Sequence, residues 1–144
     1  MSFLTMPAPA SAADEACGDT APVFRAQGLL GAIAQKLNRH EAVRILAIGS
    51  SSTAGAGSTS PDAAYPSRLQ AMLRERFPGA EIKVINRGVN GQDAPEMLAR
   101  FDQDVAAYKP TLVIWQSGVN ALFREGGLAA TESLLRAAIA RMRA

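Results

Sequence analysis

Short apolar runs alternate along this chain with longer segments whose apolar residues recur every three or four positions. The runs Val43–Ile48, Ile82–Ile85 and Leu112–Trp115 are too short for helices and predict buried strands. Between the first two, Leu69, Met72, Leu73 and Phe77 predict one apolar face of a helix. Pro66 suits its first turn, and Pro78-Gly79 ends it. Between the second and third runs, Met97, Phe101, Val105 and Tyr108 predict a second helix. Asp93 followed by Glu96 has the form of a capping box at its start. A last helix over roughly 128–142 carries Leu134, Leu135, Ile139 and Met142. An earlier one within 23–38 carries Leu29, Leu30, Ile33 and Leu37, despite Gly28 and Gly31. Strands alternating with helices imply βαβ units, hence an α/β domain with a parallel sheet.

Each predicted strand breaks into a loop of small polar residues: GSSSTAGAG from Gly49, NRGVNG from Asn86, and QSGVNA from Gln116. In a parallel sheet all three loops lie on one edge. Acyl transfer needs a nucleophile and donors aimed at a developing oxyanion. Ser51 offers a hydroxyl, Gly88 a closely approaching backbone N–H, and Asn120 a side-chain NH2. Taken singly, each has a plainer reading: a turn serine, a glycine turn, and a helix-capping asparagine. Their recurrence at three consecutive strand ends favours the chemical one. The loop from Ser51 to about Pro66 is long for a strand-to-helix connection, which also points to function. Asn86, Asn90 and Gln92 read as loop-ordering or pocket-wall residues, and Trp115 as core.

The three loops together resemble the sequence blocks of the SGNH (GDSL-type) hydrolases over about residues 43–125. Gly49–Gly55 resembles the first block, with Ser51 at the nucleophile and Ser50 where that family usually has Asp. NRGVNG resembles the second, with Gly88 at the oxyanion glycine, and SGVNA the third, with Asn120 in its GxN pattern. The resemblance implies a three-layer α/β/α domain with a flavodoxin-like sheet. It further implies a serine esterase acting through an acyl-enzyme on Ser51. The Ser51 and Gly88 N–H groups and the Asn120 side chain would form the oxyanion hole, with no metal and no cofactor. The partner would be a small-molecule, carbohydrate or lipid ester.

That family takes its general base from a late Asp-x-x-His block, and no histidine follows Asn120 here. The single histidine, His40, precedes the first strand. Six strand residues at ~3.3 Å each put it roughly 20 Å from Ser51, beyond a hydrogen-bond reach of about 3 Å. His40 therefore reads as a solvated helix-end residue. The expectation is the N-terminal part of an SGNH domain, incomplete at its C-terminus, with little esterase activity by itself. An outer edge of the third strand left unpaired would favour self-association.

Length and composition add bounds. A chain of 144 residues, 48% of them apolar, suits one domain with a real core. Its 15 basic and 13 acidic residues are scattered, which argues against nucleic acid. No run approaches the ~20 apolar residues of a membrane span. A single cysteine, Cys17, excludes a disulfide within these residues. Residues 1–22 are rich in Ala, Pro and Ser and read as a flexible leader or signal-peptide remnant, with 23–144 as the domain. Ala10-Ser11-Ala12 has the form of a signal-peptidase site, without a basic n-region before it. Because exported members are common in the family that the three loops resemble, the resemblance sets a secreted or periplasmic location ahead of a cytoplasmic one. Two other functions fit the loops. One is a non-catalytic phosphate or FMN binder, although the first loop has no lysine and Ser60 breaks GxGxxG. The other is a degenerate SGNH module that binds acylated carbohydrate without turning it over.

Overall fold

Val43–Gly49 forms the central strand, β1, because six of its seven residues can be buried on both faces, as a strand sandwiched between helices requires. The computed structural model describes residues 30–143. β1 is flanked by β2 (Ile82–Gly88) and β3 (Leu112–Trp115), all parallel, in the order β2-β1-β3. This is the flavodoxin-like order expected for these three strands. Gly49 is paired with Gly88 and Ile48 with Trp115, so the strands stop at nearly the same level.

Helices cover both faces. On one, Leu37 of α1 (Gly31–Asn38) meets Val43, Ile45 and Ile82, together with Leu69, Leu73 and Phe77 from α3 (Tyr65–Arg76) and its end. On the other, Leu46, Ile48 and Ile85 pack on Met97 of α4 (Ala94–Ala99) and on Phe101 and Val105 of α5 (Phe101–Tyr108). A short turn, α2 (Ser51–Ala54), directly follows β1, and α6 (Gly127–Arg143) closes the described chain. Among the described residues no helix is long and apolar enough to cross a membrane.

Three expectations change in detail. The single helix predicted after Asp93 is two, broken at Arg100 (φ −109°, ψ 0°). There the guanidinium donates to the Arg87 carbonyl at 2.7 Å and to Gln92 Oε1 at 2.8 Å, and pairs with Asp104. Met72, expected inward, is 63% exposed, because the partly buried, sheet-facing stripe of α3 runs at four-residue steps through Leu69, Leu73 and Phe77. β2 continues past Ile85 to Gly88, because its pairing with β1 continues to Gly49. The leader, Cys17 and the start of the first predicted helix lie outside the described residues.

Candidate active site

Ser51 is the first residue of α2, one residue beyond the buried Ser50 that ends the β1 run. At this position its backbone N–H has no carbonyl to bond within the helix. The side chain is half-buried, and no hydrogen bond joins its Oγ to the other described residues. The turn beneath it is fixed. Ser50 N and Ser50 Oγ both donate to Gln116 Oε1 at 3.0 Å, and Thr53 Oγ1 donates to the same oxygen at 3.2 Å.

Two glycines make room for this turn. A Cβ on Gly49 would lie 2.0 Å from Thr53 Oγ1, and one on Gly88 would lie 2.1 Å from the Ala54 nitrogen. The second obstacle is backbone and cannot swing aside, so Gly88 is required by packing where it meets α2. Its N–H donates to Asn86 Oδ1 at 2.9 Å, an Asx-type turn within its own loop. Gly88 thus reaches the edge expected for it, with its N–H already engaged.

Gly91 differs. It has φ +77°, open space where a side chain would project, and an N–H with no hydrogen-bond partner among the described residues. Its loop is held from three sides. Asn120 Nδ2 donates to the Gln92 carbonyl at 2.7 Å, Arg124 donates to the Gly91 carbonyl at 2.9 Å, and Arg100 holds the Gln92 side chain. Asn120 opens a 3-10 turn (Asn120–Phe123) and keeps a second side-chain N–H. Neither Gly88 N nor Asn120 Nδ2 is hydrogen-bonded to Ser51.

The predicted capping box at Asp93 forms. Asp93, 3% exposed, also accepts from Ser117 Oγ at 3.2 Å, joining the second loop to the third. Glu96, on the same first turn of α4, pairs with Arg124, whose guanidinium holds the carboxyl below its ordinary 4.5. His40 sits at the opposite end of β1, in a left-handed conformation (φ 55°) beside Gly79. Trp115 packs in the core against Phe101, with its indole N–H on Met97 Sδ at 3.1 Å. Among the described residues no three His, Cys, Asp or Glu cluster as metal ligands would.

The residue that sequence reasoning passed over is Gln116. Its only signal was a polar side chain at the end of an apolar strand, one position beyond the partner of Ile48.

Residues 16–144 match a family model described as non-GDSL lipase-like. An acetylxylan esterase of Geobacillus stearothermophilus is 31% identical over 61 residues, which are 42% of this chain and 28% of that protein. Among solved structures, a two-domain esterase active on acetylated mannans, co-crystallised with mannopentaose, is 28% identical with a TM-score of 0.65. The match covers 74% of this chain and 29% of that one. A lipolytic protein of the G-D-S-L family from Desulfitobacterium hafniense is 28% identical with a TM-score of 0.59, over 70% of this chain and 53% of that one. The chain therefore spans about half or less of the length of these relatives.

Proposed function

The chain belongs to the non-GDSL lipase-like family of SGNH-like hydrolases, and from that membership we propose that it carries the nucleophile and oxyanion-binding groups of a serine ester hydrolase. Ser51 Oγ attacks the ester carbonyl carbon and gives its proton to a base. The tetrahedral intermediate expels the alcohol, and water then hydrolyses the acyl-serine. In this reading the Ser51 N–H and the second N–H of Asn120 receive the oxyanion. The third donor is a backbone N–H of the Gly88–Gly91 loop. Gly91, free and next to the carbonyl that Asn120 holds, suits this better than Gly88, whose N–H would first have to leave Asn86.

One observation carries the reading: the Ser51 turn, the Gly91 loop and the Asn120 turn lie on one sheet edge and are laced together through Gln116, Gln92 and Asp93. The names of the relatives make an O-acetylated polysaccharide the first substrate class to try. With His40 at the far edge, these 144 residues hold no histidine beside Ser51, and slow hydrolysis by this chain alone is the expected result.

The test uses p-nitrophenyl acetate with imidazole supplied as base, together with mass spectrometry after a fluorophosphonate probe. Slow turnover that imidazole raises, lost in Ser51→Ala, with the adduct on Ser51, supports the proposal. An unlabelled Ser51, or turnover unchanged in Ser51→Ala, overturns it in favour of a binding module.

A further inference from the structure

Three hydrogen-bond donors from the Ser51 turn converge on a single atom, Gln116 Oε1: the Ser50 N–H, the Ser50 hydroxyl and the Thr53 hydroxyl. Ser50 is 3% exposed and Thr53 is fully buried, so water does not take over if that oxygen is removed. Buried donors left without an acceptor are costly, and an acceptor oxygen at this one point serves all three, sharing its two lone pairs among them. Room for it comes from Gly49, where a Cβ would approach Oε1 to 2.8 Å. The main chain of Gln116 is itself fixed, its N–H donating to the Ile48 carbonyl at 2.9 Å as a continuation of the sheet.

Ser51 lies between the two residues that this oxygen holds. Its peptide is anchored on the N-terminal side by Ser50 and one turn later by Thr53, while its own hydroxyl is left unbonded. From this geometry we infer that Gln116 is a positioning residue, setting the direction of the Ser51 hydroxyl through Ser50 and Thr53 without touching substrate. The inference rests on Ser51 being the nucleophile and adds what aims it. A misplacement of about 1 Å at a reacting atom can lower a rate by about a hundredfold, so loss of the acceptor should appear in the bond-forming step and not in ligand binding.

The full chain and its Gln116→Met and Gln116→Glu variants are compared in labelling of Ser51 by the fluorophosphonate, with imidazole present. Probe concentration is varied to separate the limiting rate from the half-saturating concentration, and circular dichroism verifies folding. Gln116→Met should lower the limiting rate about tenfold or more, with half-saturation changed less than about threefold. Gln116→Glu, which keeps an oxygen in place, should return to within about threefold of the parent. If Gln116→Met does not fold, Thr53→Val, which removes one of the three donors at near-constant shape, should lower the limiting rate while leaving half-saturation in place. A Met variant labelled as fast as the parent, a Glu variant as slow as Met, or an unaffected Thr53→Val overturns the positioning role alone. A parent chain unlabelled at Ser51 overturns the serine reading, and this inference with it.

Discussion

The Asn120 side-chain amide donates to the Gln92 main-chain carbonyl at 2.7 Å, tying the turn after β3 to the loop after β2. One N–H of the amide is thereby used for architecture, while the other is the one proposed to meet the oxyanion. Asn120→Ala removes both. Ser51-dependent turnover of p-nitrophenyl acetate should fall about 10²–10³-fold, as for other oxyanion donors, with a stability loss of about 1 kcal/mol. Parallel kinetics and urea titrations measure the two effects.

Gly88→Ala should be far more damaging to folding than Gly91→Ala. At Gly88 the added carbon meets the Ala54 nitrogen at 2.1 Å and its Cα at 2.6 Å, both main-chain atoms. A loss of about 3 kcal/mol or failure to fold is expected. At Gly91 there is open space, and the cost is that of a left-handed alanine, about 1 kcal/mol. Equal denaturation midpoints for the two variants would contradict this.

Asp104, 3% exposed, accepts from Arg87 at 2.8 Å and pairs with Arg100 one turn earlier on the helix. Asp104→Ala leaves two guanidinium groups facing an empty site. Removing one partner of a buried pair costs about 3–5 kcal/mol; with Arg87 38% exposed, the lower end applies. Arg100 also holds the Gln92 side chain, so loss of amide-exchange protection should extend into the 89–92 loop.

The Glu96–Arg124 pair gives a pH dependence of known sign. Its hydrogen bond to Arg124 depresses the Glu96 carboxyl below 4.5 in the folded chain. The pair's contribution is therefore present above the unfolded value and is lost as pH falls through the lower, folded one. Glu96→Gln keeps the cap on α4 but not the charge. The parent's advantage over it should be small near neutrality because both partners are well exposed. It should shrink further below about pH 4 and in high salt. An advantage that grows on acidification would refute the assignment.

Self-association is the last expectation. Among the described residues β3 has no neighbour on its outer side. An apolar cavity of about 340 Å³, lined by Ile33, Leu73, Leu112 and Ile114 among others, adjoins it. Light scattering should show mass rising with concentration; a monodisperse monomer at high concentration would count against it.

The sheet was legible because Ile45–Ile48, Ile82–Ile85 and Leu112–Trp115 are apolar runs too short for anything else. The Asp93–Glu96 cap was legible because its partners are three residues apart. What escaped depends on groups distant in sequence. The break at Arg100 falls where its guanidinium reaches the Arg87 carbonyl, thirteen residues away. The hydrogen bonds that Gln116 accepts come from Ser50 and Thr53, more than sixty residues earlier. Gly88 was placed at the correct strand end, but no pattern in NRGVNG tells which glycine has its N–H already taken by Asn86.

Gly49 and Gly88 stand side by side at the ends of paired strands, each pressed against the α2 turn. Evolution can hardly touch the floor of this site without dislodging the serine above it. Change is tolerated further out, in the solvent-facing stretch 56–63, where insertion and replacement leave that floor intact.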